Sequence, residues 1–161
     1  MSFEELTVFL DNDISGRIMF IGIGSEIRGD EAAVKKIIEK ISTAKIENIA
    51  AIWTDTRPEN FLKKIEEFKP DQVIFFQASK FGGKPGETKF LRLDDHDEKS
   101  LHESPIITLS HYLKNQIGAK ASLVVVEPKS LNVGDISDEM LMATDRISNN
   151  ILNRLGKKGS Y

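Results

Sequence analysis

Two acids in succession, Asp30 and Glu31, are the first residues in this chain that could do chemistry. Hard carboxylate oxygens suit divalent cations, so the pair could supply a metal ligand and its neighbour. Both acids would equally favour the amino end of a helix electrostatically. The histidines are His96, His102 and His111. The run Asp94-Asp95-His96-Asp97 could chelate a metal, or it is a solvated polar loop. His111 falls beside the apolar face of a helical pattern and reads as a structural histidine. Gln77 directly follows an apolar strand. Its amide can position a ligand by hydrogen bonds, but as a metal ligand it brings no charge. Gly22-x-Gly24-x-x-Ile27 has the opening of a dinucleotide loop without the third glycine, and acids follow it. There is no Gly-Lys-Ser/Thr phosphate loop and no nucleophile elbow.

The elements around these residues place them at one edge of a sheet. Ile18 to Ile23 is a short apolar run without alternation, as in a strand covered on both faces. Gly22 and Gly24 strip side chains from its end, and Gly29 breaks the chain again. Val34, Ile37, Ile38 and Ile41 then share one helical face, running to about Ser42. The acids therefore lie between the carboxyl end of a strand and the start of a helix, where open α/β sheets keep their sites.

Further strands are expected at Ile49–Trp53, Val73–Phe76, Thr88–Leu93 and Leu123–Val126. Helices are expected at the N-terminus (Phe3, Leu6, Phe9, Leu10), from Phe61 to Phe68 with Thr56 as cap and Pro58 in the first turn, and around Leu109 to Ile117. A last helix is capped by Ser137 and lined by Met140, Thr144, Ile147, Ile151 and Leu155. Gly156 to Tyr161 reads as a tail. Alternating strands and helices predict a three-layer α/β/α architecture with a mostly parallel central sheet of about five strands.

At 161 residues, one domain spanning 1–161 is expected. The net charge of -3 leaves no basic footprint for nucleic acid. The chain has no cysteine, which excludes disulfides, thiolate ligands and a cysteine nucleophile. No apolar run approaches a membrane span, and no signal peptide is seen, so a cytoplasmic protein is expected.

The order of these features resembles the hydrogenase maturation endopeptidases, which trim the C-terminus of the nickel–iron hydrogenase large subunit. Gly22-Ile-Gly24-Ser25-Glu-Ile-Arg-Gly29-Asp30-Glu31 resembles the family's opening signature of Gly-x-Gly-Asn followed by Gly-Asp-Asp/Glu-Gly. Arg57-Pro-Glu-Asn60 is similar to its loop after the second strand. Ile74-Phe-Phe-Gln77-Ala78 with Gly83-Lys-Pro-Gly-Glu87 resembles its third strand and Pro-Gly-Glu turn. Val126-Glu-Pro-Lys-Ser130, Gly134 and Ser137 resemble its last strand, loop and helix start.

The resemblance implies the maturation-protease fold, and a site in which an acid, an aspartate after the third strand and a histidine hold a metal. That metal is the nickel of the substrate, or none. On this chain the acid is Glu31, with Asp30 beside it as the second catalytic candidate. The aspartate position is Gln77, and the histidine position falls on Pro105 or Ile106. His102 and His111 are the alternative partners for Glu31. Gly24, Ser25, Gln77 and Ser79 are the expected substrate-binding residues, and a hydrogenase large subunit or a related protein is the expected partner. Three functions remain open: an active maturation protease, a non-catalytic binding or assembly factor for such a subunit, and a small-molecule-binding α/β domain.

Overall fold

The apolar run from Ile18 becomes β1 (Ile18–Ile23), with all six residues buried. Successive side chains along a strand point to opposite faces, and here each face meets its own helices. Phe20 packs on one side with helix α1 (Phe3–Asn12), helix α3 (Val34–Ala44) and the C-terminal helix α6 (Asp138–Lys158). Met19 and Ile21 pack on the other with α4 (Leu62–Phe68) and α5 (Pro105–Ile117). A computed structural model describes residues 3–93 and 105–158.

The sheet has five strands in the order β2-β1-β3-β5-β4. Strands β1, β2 (Ile49–Trp53), β3 (Gln72–Ala78) and β5 (Lys120–Val126) are parallel, and β4 (Thr88–Arg92) joins the edge antiparallel to β5. The expected α/β/α class and five-stranded sheet are therefore present. β1 has β2 on one side and β3 on the other, so the chain reverses its direction of winding there. Open α/β sheets keep their sites at the carboxyl ends of the strands at such a switch point, here β1 and β3. In register Ile23 sits opposite Gln77.

Three local expectations change. Thr56 caps nothing: Pro58–Phe61 is a 3₁₀ turn whose N-cap is Arg57, and Thr56 lies one residue too early. The helix expected around Leu109 begins at Pro105, a residue suited to a first turn. The expected tail at Gly156 is helical through Lys158. Leu155 is buried there, and Arg154 pairs with Asp11 at 2.9 Å, which outweighs the ~1 kcal/mol that a glycine costs a helix. Among the described residues no helix is long and apolar enough to cross a membrane.

Candidate functional site at the carboxyl ends of β1 and β3

The turn after β1 is shaped by close approach. A Cβ on Gly24 would stand 2.9 Å from the Glu31 carbonyl oxygen and 3.1 Å from the Trp53 ring. The short helix α2 (Gly29–Ala32) can therefore lie against the strand end only because residue 24 has no side chain. Helix α2 also lies close to β3.

Glu31 is half-buried, its side chain 20% exposed. Its Oε1 accepts a hydrogen bond from the Ser25 amide at 3.1 Å, and its Oε2 lies 3.7 Å from Arg28 Nε. The Arg28 guanidinium also donates to the Leu131 carbonyl. A carboxylate so placed is oriented but retains unused acceptor capacity, since each oxygen has two lone-pair sites. Gln77 is half-buried at the end of β3, and no hydrogen bond of its amide side chain is found among the described residues. Ser79 is half-buried too, its amide fixed to the Val126 carbonyl at 3.1 Å. Gly24 and Ser25 thus lie directly against Glu31, while Gln77 and Ser79 lie at and just beyond the end of the neighbouring strand β3.

Asp30 belongs to a different structure. It is 2% exposed, and its carboxylate accepts four hydrogen bonds. Oδ2 takes the amides of Lys129 (2.8 Å) and Ser130 (3.1 Å) and the Ser137 hydroxyl (3.1 Å), while Oδ1 takes the Ser137 amide (2.8 Å). Burial alone would push this carboxyl's pKa up; the amides and the hydroxyl outweigh it and hold the group below its ordinary value. The Asp30 carboxylate thus fastens the 127–137 loop to the acidic turn. Ser137 in turn caps α6, its hydroxyl accepting from the Met140 amide at 3.3 Å.

Of the two histidines expected as partners for Glu31, His111 lies toward the opposite end of the sheet. His111 lines a small cavity with Leu93, Ala119 and Ala121. Ala121 is paired with Val73 near the amino ends of their strands, whereas Val125 is paired with Gln77 at the other end. Four residues of strand separate those levels, about 13 Å, far beyond a shared shell of bonds near 2.0–2.2 Å. The cause is that α5 runs back from the crevice toward the amino end of β5, carrying His111 down with it. Ile106 is buried in the core under α5 and Pro105 is exposed. His102, His96 and the Asp94–Asp97 run lie outside the described residues. Among the described residues no group of three His, Cys, Asp or Glu could hold a metal ion.

Two contributors escaped the sequence reading. Glu127, 5% exposed, accepts the amides of Phe81 (2.8 Å) and Gly83 (3.0 Å) through Oε1 and so pins the loop after β3. Its signal was an acid directly behind the buried run Leu123–Val126. Trp53 packs its ring on Gly22 of β1 and on Gly24 just after it, and a Cβ on Gly22 would stand 2.8 Å from the ring. A cavity of about 740 Å³ between α1 and β4 is lined by Phe3, Phe81 and Phe90, not by Gly24 or Gln77.

A doubly wound sheet with an oriented carboxylate at its switch point defines an α/β protein of the open-sheet class. The family model described as HycI, hydrogenase maturation protease, matches residues 32–154, opening one residue after Glu31. The chain belongs to the hydrogenase maturation protease family. A Methanocaldococcus jannaschii protein assigned as a hydrogenase maturation protease is 27% identical over 146 residues, 84% of this chain and 86% of that one. The hydrogenase 3 maturation protease of Escherichia coli K12 is 30% identical over 99 residues, 60% of this chain and 64% of that one. The crystal structure of the nickel–iron hydrogenase maturation protease HycI from Thermococcus kodakarensis superposes with a TM-score of 0.82 at 27% identity, covering 94% of this chain and 99% of that one.

Proposed function

We propose that this chain is a maturation endopeptidase that trims the C-terminus of a nickel–iron hydrogenase large subunit in the cytoplasm. The observation that carries the reading is Glu31: a half-buried, oriented carboxylate at the switch-point crevice of a chain in this family. The substrate's C-terminal segment would lie between the ends of β1 and β3. Glu31 would offer one anionic oxygen to the nickel carried by the substrate, the other ligands arriving with that substrate. Gln77 can both donate to and accept from a peptide main chain. Gly24 leaves the backbone room to approach, and Ser25 and Ser79 add polar contacts. In the cut, water adds to the scissile carbonyl carbon, the C–N bond breaks and the amine leaves with the proton.

A second reading has its own observation. Gln77 is neutral where the family resemblance implies an aspartate, which weakens any hold on a divalent cation. The chain would then bind the same precursor as an assembly factor without cutting it. Incubating nickel-loaded precursor with the chain and weighing the products by mass spectrometry separates the two. Release of a C-terminal fragment supports the peptidase. A stable complex with intact precursor supports the assembly factor. Neither fragment nor complex would remove both.

A further inference from the structure

The turn that follows β2 is tied to the turn that carries Ser25 and Glu31. β2 ends at Trp53. The buried Thr54 continues the ladder: its amide donates to the Gly22 carbonyl at 3.0 Å and its hydroxyl to the same oxygen at 3.1 Å. In a regular parallel ladder the Thr54 carbonyl would then accept the Gly24 amide, because each residue bonds to the two neighbours of the residue opposite. Here the Gly24 amide donates to the Asp55 carbonyl, one residue further on, at 3.0 Å. The offset falls on a residue with φ of +52°, in the left-handed region that most side chains avoid and aspartate tolerates.

The Asp55 side chain reaches the same glycine by a second route. Its Oδ1 accepts the Trp53 indole N–H at 3.0 Å. The Trp53 ring lies over Gly24, where a Cβ would stand 3.1 Å from Cη2 and 3.2 Å from the Glu31 Cβ. Gly24 is therefore held by a main-chain bond and by a ring, and both lead back to Asp55. The peptide unit that begins at Gly24 is planar and carries the Ser25 N–H. That N–H donates to Glu31 Oε1 at 3.1 Å. The direction of this donor is set by the backbone of Gly24.

We infer that Asp55 is a positioning residue for Glu31: it fixes Gly24 through its own carbonyl and through the Trp53 ring, and so aims the Ser25 amide at the carboxylate. Its consequence for the cut rests on the maturation reading above, whereas its effect on the Ser25 amide does not.

The test reads both in the full chain. Amide hydrogen exchange by NMR follows Ser25, and the resonance of the single tryptophan's indole follows Trp53. Asp55→Ala removes the side-chain acceptor and the tolerance of left-handed backbone, Asp55→Gly removes only the acceptor, and Asp55→Asn keeps both. In Asp55→Ala, exchange at Ser25 should speed roughly tenfold, the cost of a left-handed alanine expressed as local opening, with core amides of β3 unchanged. Asp55→Asn should stay within about twofold of wild type. Asp55→Gly should move the indole resonance as alanine does and speed exchange less. With nickel-loaded precursor, kcat for fragment release should fall roughly tenfold in Asp55→Ala at unchanged KM, and Asp55→Asn should restore it. Wild-type exchange at Ser25 in Asp55→Ala would overturn the positioning role, and so would equal losses in all three variants. Faster exchange with an unchanged kcat would overturn it too, because the carboxylate would then work without the bond. Faster exchange in Asp55→Ala beside a wild-type chain that releases no fragment would support the positioning role and overturn the maturation reading.

Discussion

Two regions separated by a single peptide bond make opposite use of a carboxylate. At the junction, Asp30 is buried and all of its bonding goes to Lys129, Ser130 and Ser137. At the end of β1, Glu31 is half-buried and meets one amide and one guanidinium, and the side-chain amide of Gln77 on the neighbouring strand has no hydrogen bond among the described residues. The first arrangement stabilises and leaves nothing for a ligand. The second gives up stabilisation and keeps acceptor capacity in reserve. Neighbouring acids at a strand end are thus not a catalytic pair by virtue of adjacency. The turn directs alternate side chains to different duties.

The largest effect that would break this contrast is at the junction. Asp30→Ala leaves three amides and a hydroxyl without their acceptor, at a cost of about 3–5 kcal/mol. For a chain of this size that is a fall of roughly 10 °C in melting temperature, read by circular dichroism. Asp30→Asn should recover only part of the loss, because its NH₂ would face other donors. The lowered pKa adds a pH signature. A carboxyl held below its unfolded value contributes stability above that value, about 3.9, and loses it as pH falls through the folded value. The stability gap between wild type and Asp30→Asn should therefore be full at pH 6 and shrink below about pH 4 in urea titrations. A gap that stays constant to pH 2.5 would remove the charged fastening.

A smaller effect sharpens the crevice side. Gln77→Asp puts a carboxylate at the half-buried end of β3, beside β1, so the melting temperature should move by no more than about 2 °C. Nickel affinity measured by calorimetry should rise roughly tenfold, the gain from a second anionic oxygen. An unchanged affinity would mean that the ends of β1 and β3 do not share a ligand.

The fold was legible in the sequence because its strands are short apolar runs and its helices carry 3.6-residue faces. Ile18–Ile23 and Met140 through Leu155 behave as those patterns require. The end of β1 was legible for the same reason, since Gly24 marks a strand end wherever the chain then goes. The division of labour within the site was not. Nothing in Asp30-Glu31 says which acid turns inward, because that depends on Ser130 and Ser137, a hundred residues away in sequence. The pairing of Glu31 with His111 failed on a quantity that sequence spacing does not carry, the direction in which α5 leaves the crevice. Glu127 went unnoticed because a single acid after a strand has the same look whether it is solvated or, as here, bonded to the amides of Phe81 and Gly83.

The most direct test places the two acids side by side: processing of nickel-loaded large-subunit precursor by Asp30→Asn and Glu31→Gln, with each variant's melting temperature. Glu31→Gln should abolish release of the C-terminal fragment while melting within about 2 °C of wild type. Asp30→Asn should melt several degrees lower and, below its own transition, still release the fragment. Processing that survives Glu31→Gln and is lost in folded Asp30→Asn would reverse the two roles.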